Sequence, residues 1–300
     1  MSITSTPNGA EAGNLRAAAG AWGPVEFHEA AGTRVAIARQ GHGPTVVCLH
    51  ATGHGARDYE PFAERVGDAF EVIAVDWPGQ GRSPGERAPA SAERYSQVLE
   101  ELLPRVAVGP VLVVGCSIGG AAAISLAARR PDLVRALVLC DPGGLLEPDA
   151  ATRFVVGRMH AFFAAGARGA RWFPAAFALY YRMVLPGPPA RPQRDRIVAS
   201  VRETAAVLAQ AWASFGEPEA DLRPLIPRIE CPTLFAWAGQ DRVIPWSRSK
   251  AAAESFRDFR VEFFRAGHAA FLEDPDHFAD AFRGFADSHA SAPWKAARSA

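Results

Sequence analysis

The feature that most constrains this chain is the alternation of short, near-continuous apolar runs with helical segments. TVVCLHA (45–51), EVIAVDW (71–77), PVLVVGCS (110–117) and RALVLCD (135–141) are rich in Val, Leu and Ile. Such runs are expected of strands buried on both faces, as in a parallel sheet covered by helices. Between them, Glu60–Val66, Ala92–Val106 and Ile118–Arg129 carry apolar residues at three- and four-residue spacing. The pattern resumes late in the chain, with strands expected in PTLFAWAG (232–239) and RVEFFRAG (260–267) and helices at 247–255 and 276–285. VEFHEA and TRVAIARQ, joined at Ala31-Gly32, read as a hairpin. The expected fold class is α/β, a doubly wound, mostly parallel eight-stranded sheet.

One stretch breaks the alternation. From 142 to 223 there is no strand pattern. Asp149 can cap a helix that lines up Val155, Met159, Phe162 and Phe163. A second helix can start at Phe173 with Pro174 just inside it, aligning Phe173, Phe177, Tyr180, Tyr181 and Val184. Pro186 to Pro192 break the chain, and a third helix from Asp195 aligns Ile197, Val201, Ala205, Leu208 and Trp212. The expected organisation is a loose tail at 1–22, an α/β core at 23–143 and 224–300, and an all-helical insertion at 144–223.

Charge and composition exclude several roles. Lys plus Arg is 32 and Asp plus Glu is 32 in 300 residues, so net charge is zero. That removes the electrostatic case for a nucleic-acid partner or an anionic membrane. No apolar run reaches the roughly 18 residues needed to span a bilayer, so no membrane insertion is expected. Residues 1–20 lack a basic start followed by an apolar stretch, so the expected location is cytoplasmic. Cys48, Cys116, Cys140 and Cys231 form no CxxC pair or His/Cys cluster. They are expected as reduced, buried thiols, and no metal site is indicated.

The chemistry-bearing motif is Gly115-Cys116-Ser117-Ile118-Gly119, a G-x-S-x-G placed between an apolar strand and a helix. Ser117 is expected on a sharp strand-to-helix turn, with Gly115 and Gly119 making room for it. The helix start then aims free N–H groups at any oxyanion formed there. A serine hydroxyl needs a base and an orienting acid to become a nucleophile. In this architecture they follow in the order Ser, Asp or Glu, His. Asp241, in GQDRVIP, and His268, in GHAAFLEDP, both come directly after expected strands. Asp141, after RALVLCD, is the alternative acid, though a turn or capping role beside Pro142 also explains it. Oxyanion donors are expected from the backbone N–H groups of Ile118 and Thr52, the latter in the loop 50–55. His50 is expected to fix that loop, and His54 can face either the pocket or solvent.

These pieces resemble the α/β-hydrolase fold family from about Val25 to Phe285. The matching segments are LHATG, DWPGQGRS, GCSIGG, GQDRVIP and GHAAFLEDP. The resemblance implies a Ser117–His268–Asp241 triad and a helical cap over the site. It implies a structural role for Asp76 and for Gly79 to Ser83. Ala51 departs from the glycine usual after the loop histidine. A serine nucleophile argues against epoxide or halide chemistry. Cys116 and Ala269 stand where the family's carbon–carbon hydrolases commonly have Asn and Trp.

The resulting expectation is a serine hydrolase acting through an acyl-enzyme on a small-to-medium apolar carboxylic ester. Carbon–carbon bond hydrolysis or lactonase activity on the same triad is the alternative, and a non-catalytic ligand-binding protein is a third reading. Met159, Phe162, Phe163, Phe177, Tyr181 and Trp212 are the candidate pocket residues. No cofactor is expected, because neither a P-loop Lys-Ser/Thr nor the G-x-G-x-x-G spacing is present. Oligomeric state is not legible.

Overall fold

A computed structural model describes residues 22–147 and 149–289. Of the expected tail, 1–22, only Trp22 falls among these residues, and it packs partly buried against the core. The strands are β1 (Glu26–Ala30), β2 (Thr33–Gln40), β3 (Thr45–Leu49), β4 (Glu71–Val75), β5 (Val111–Cys116), β6 (Val134–Cys140), β7 (Thr233–Ala238) and β8 (Phe259–Phe264). They form one eight-stranded sheet in the order β1-β2-β4-β3-β5-β6-β7-β8. The β1–β2 and β2–β4 pairs are antiparallel, and the pairs from β4–β3 through β7–β8 are parallel.

The β1–β2 hairpin turns at Ala31 and Gly32, both at positive φ (50° and 73°). Two such residues match the right-handed twist of the strands they join. The Glu101 carboxylate accepts from the Ala31 N–H at 2.8 Å, and Arg94 donates to its carbonyl at 2.9 Å. These bonds hold a non-glycine residue in a conformation that L side chains disfavour.

Alternate residues of the central strands feed opposite faces. Val46 and Cys48 pack with Phe62 and Phe282, while Val47 and Leu49 pack with Leu99 and Ile124. One face is covered by α1 (Glu60–Val66) and α10 (Pro275–Ala286). The other is covered by α2 (Ala92–Val106), α3 (Ile118–Arg129) and α8 (Trp246–Ala253). Burying each Phe, Leu or Ile contributes about 1.5–3 kcal/mol, so two covered faces stabilise the strands that carry the site. The Ser91 hydroxyl caps α2 by accepting from the Arg94 N–H at 3.0 Å.

Four helices lie between β6 and β7: α4 (Ala150–Ala167), α5 (Phe173–Val184), α6 (Arg191–Ala199) and α7 (Val201–Ser214). Asp149 caps α4 by accepting from the Thr152 N–H at 2.7 Å. That bond, with the Thr152 hydroxyl and the Arg248 guanidinium, lowers the Asp149 pKa to about 2. The single helix expected from Asp195 is in fact two. It begins at Arg191, with Pro192 in its first turn, and is interrupted at Ser200. There the Ser200 hydroxyl donates to the Ile197 carbonyl at 3.1 Å, the local bonding by which serine competes with helix continuation. On α4 Phe163 is buried and Met159 and Phe162 pack against the core, so the expected stripe differs at one position. Val155 faces solvent and Val156 turns inward, because packing on α7 selects between two adjacent apolar stripes. A short helix the sequence pattern did not indicate, α9 (Ala270–Glu273), precedes α10.

Cys48, Cys116 and Cys140 are buried free thiols, and burial pushes their pKa values up. Cys231, two residues before β7, is only half-buried, contrary to expectation. No helix among the described residues is long and apolar enough to cross a membrane.

Candidate active site

β3 lies between β4 and β5, so the chain direction across the sheet reverses there. Crevices outside the carboxyl ends of strands at such a reversal are where open α/β sheets place ligands. Ser117 stands at the end of β5, directly before α3, at φ 54° and ψ −117°. This is a strained conformation for a residue with a side chain. It is over-determined by three backbone bonds of 3.0 Å. The Ser117 N–H donates to Cys140, and its carbonyl accepts from Ala121 and Gly143.

The flanking glycines are required by contact distance. A Cβ on Gly115 would lie 2.7 Å from the Gly119 carbonyl oxygen, and one on Gly119 would lie 2.4 Å from that of Leu49. The turn therefore passes closer to its neighbours than any side chain allows. Ile118 opens α3, where first-turn N–H groups lack intrahelical partners.

His268 follows β8 and Asp241 follows β7. The His268 Nδ1 meets Asp241 Oδ2 at 2.7 Å, with both side chains buried. Burial alone disfavours the imidazolium, but the Asp241 charge and hydrogen bond together raise the His268 pKa above its ordinary 6.5. Asp241 is held in turn by its other oxygen, which accepts from Val243 at 2.6 Å and Ile244 at 3.0 Å. The Cys116 thiol contacts the His268 carbonyl at 3.6 Å, tying the serine's neighbour to the histidine loop.

Asp141 is fully buried at the end of β6, at φ 43°. One of its oxygens accepts from the Ala238 N–H of β7 at 2.9 Å. Burial, then the nearby Asp241 charge, pushes its pKa well above the usual carboxylate range. It contacts the Asp241 neighbourhood from the next strand and is not the partner hydrogen-bonded to His268. Asp141, Asp241 and His268 bring potential metal-ligand atoms within 4.8 Å of one another. In that cluster the His268 Nδ1 is already engaged with Asp241, whose second oxygen takes two backbone N–H groups.

The loop after β3 is fixed from below. The Trp77 N–H donates to His50 Nε2 at 3.1 Å, so the ring's Nδ1–H faces the Ala51 carbonyl at 2.7 Å. Gly53, at φ 79°, donates to Gln80 at 2.6 Å. Asp76 accepts from Ala56 at 2.6 Å and from the Arg82 backbone at 3.1 Å. Gly81 passes so near that a Cβ there would overlap the Asp76 carboxylate. The DWPGQGRS segment thus braces the loop 50–55 that carries Thr52 and His54.

Ser117 and His268 open on one cavity of about 100 Å³, floored by Ala51 and Thr52 and walled by the inserted helices. Of the pocket residues expected from sequence, Phe163, Tyr181 and Trp212 line it. Met159, Phe162 and Phe177 do not. They pack among the helices themselves, with Phe162 against Phe173 at 4.9 Å and Phe177 against Tyr181 at 4.6 Å. Val156, Tyr180, Leu208 and Phe215 line the cavity in addition.

Sequence reasoning passed over Glu273. Its buried carboxylate accepts from Gly267 at 2.8 Å and His268 at 3.1 Å with one oxygen. The other accepts from Gly187, in the inserted segment, at 2.7 Å. A glutamate five residues after the histidine, in an otherwise apolar AFLE run, was the available signal.

This geometry can be set beside known proteins. The chain matches the Alpha/beta hydrolase family over residues 46–281. It is 31% identical over 258 residues to a pimeloyl-[acyl-carrier protein] methyl ester esterase of Chromobacterium violaceum, covering 80% of this chain and 93% of that one. It is 37% identical over 169 residues to an esterase of Mycobacterium tuberculosis, covering 54% and 53%. An esterase structure from Exiguobacterium antarcticum superposes with a TM-score of 0.77 at 20% identity, covering 87% of this chain and 98% of the other. The chain belongs to the alpha/beta hydrolase family and is an esterase-type hydrolase.

Proposed function

We propose that this protein is a serine esterase that hydrolyses small-to-medium apolar carboxylic esters through an acyl-enzyme on Ser117. The observation that carries the reading is the buried 2.7 Å contact between His268 and Asp241, with His268 opening on the same cavity as the strained Ser117. His268 takes the Ser117 proton as the hydroxyl oxygen attacks the ester carbonyl. Asp241 holds the imidazole and stabilises its charged form. The N–H groups of Ile118 and Thr52 receive the oxyanion. His268 then protonates the departing alcohol, and a water molecule activated by the same imidazole releases the acid and regenerates Ser117. The helices α4 to α7 serve as a cap whose apolar wall, with Phe163, Tyr181 and Trp212, holds the acyl group.

Intact-protein mass after fluorophosphonate treatment tests the nucleophile. A single adduct on the wild type, absent from Ser117→Ala, is the expected result. Ester turnover should fall by at least about 10³-fold in that variant. Full activity in Ser117→Ala, or no adduct on folded wild-type protein, would overturn the assignment.

A further inference from the structure

A second Asp–His pair stands in the same cavity wall. His54 lines the cavity with Ser117, His268 and Thr52. Its Nδ1 is hydrogen-bonded to Asp58 Oδ2, four residues further along. Both side chains are almost wholly buried, at 2% and 4% exposure. The ring lies 5.7 Å from that of Tyr181 in the inserted helices. With Asp58 accepting from Nδ1–H, the lone pair of Nε2 is the ring's unused hydrogen-bonding site, and no residue among those described takes it. In the same cavity wall, the buried Thr52 hydroxyl has no hydrogen-bond partner either. A buried hydroxyl without a partner is costly to keep unless something pairs with it, and the carboxylate-oriented imidazole leaves an acceptor at the same cavity.

We propose that Thr52 and His54 form a specificity subsite for a hydroxyl group on the substrate. The substrate hydroxyl donates to His54 Nε2 and accepts from the Thr52 hydroxyl, which gives the buried Thr52 group a partner and uses the open imidazole acceptor. A carbonyl oxygen satisfies only Thr52 and leaves the imidazole lone pair unpaired. Asp58 acts as a positioning residue by fixing the tautomer and orientation of His54. The enzyme therefore favours hydroxyacyl esters over plain alkyl esters of the same size. This inference rests on the serine-esterase reading for turnover, but not for binding.

The test compares methyl butanoate with its 2-hydroxy, 3-hydroxy and 3-oxo analogues. In the wild type, kcat/KM for one hydroxy ester should exceed that of the unsubstituted ester by about tenfold or more. The ratio should fall toward one in His54→Phe, which keeps the ring against Tyr181. Because that variant leaves the Asp58 carboxylate without its donor, Thr52→Val is the second arm. It is near-isosteric and keeps the backbone N–H, and its ratio should fall as well. Calorimetric binding of the same esters to Ser117→Ala reads the subsite without turnover. Tighter binding of a hydroxy ester there sustains the inference even if no wild-type adduct with fluorophosphonate forms. Equal rates and equal binding across the panel, a preference for the oxo ester, or a hydroxyl preference untouched by both substitutions would overturn it.

Discussion

Asp141 and Asp241 end adjacent parallel strands, and only Asp241 is hydrogen-bonded to His268. The surroundings of the two carboxyls differ. Asp241 takes two backbone N–H groups on one oxygen and the imidazole on the other. Asp141 has one backbone donor and an oxygen without a partner, deep in the sheet. Burial and the neighbouring negative charge push its pKa well above the usual carboxylate range.

Asp141→Asn should therefore be mild. A neutral amide replaces a carboxyl of the same shape whose charged form burial disfavours, and its oxygen can still accept from Ala238. Ester kcat/KM should stay within about tenfold of the wild type, whereas Asp241→Asn should lose about 10³-fold or more. Steady-state kinetics of the two variants decide which acid serves His268. The reverse ranking would make Asp141 the functional acid.

The pH profile follows from the same pair. His268 must be neutral to take a proton, and its pKa is raised above 6.5 because Asp241 outweighs the opposing effect of burial. Activity should fall as pH drops through that raised value, so the acid limb of kcat/KM has its midpoint above 6.5. Removing the carboxylate removes the cause of the rise. In Asp241→Asn the midpoint should move to lower pH while the plateau falls. A limb that stays in place would show that another group titrates.

Glycine substitutions separate the strained turn from ordinary helix. In Gly115→Ala or Gly119→Ala the new methyl meets backbone atoms that cannot withdraw, at 2.7 Å and 2.4 Å. Each should abolish fluorophosphonate labelling and lower Tm. Gly157, within α4, has nothing within 4 Å of an added Cβ. Gly157→Ala should stabilise by about 0.5–1 kcal/mol with labelling intact, measured by denaturant titration.

Glu273 links the histidine loop to the inserted helices. Glu273→Ala leaves the N–H groups of Gly267, His268 and Gly187 without their acceptor. Leaving buried donors unsatisfied costs about 1–3 kcal/mol each, with partial relief from water, so a loss of about 2–4 kcal/mol is expected in urea unfolding. His268 should also lose its fixed position, lowering kcat more than KM changes. A stable variant with wild-type kcat would contradict this role.

Much of the architecture was legible because it depends on local pattern. The doubly buried runs at β3, β5 and β6 specify a covered parallel sheet, since no single-faced environment accommodates them. Gly115 and Gly119 around Ser117 marked a tight turn, because only glycine permits that approach. Asp149 and Pro174 marked helix starts through the same local rules.

Other features required the tertiary structure. The choice between Val155 and Val156 as the inward residue depended on how α4 meets α7, and two overlapping apolar stripes offered both. Phe162 and Phe177 carried the signature of pocket residues, yet they pack within the insertion. Aromatic burial looks the same in sequence whether the neighbour is another helix or a ligand. The sequence by itself determined which strands, turns and reactive side chains the chain would have, because periodicity and backbone sterics act over a few residues. Only the tertiary structure decided which carboxyl meets His268, that Glu273 joins two distant segments, and that His54, bonded to Asp58, lines the cavity of Ser117. Those outcomes depend on distances between residues far apart in the chain, which no local pattern encodes.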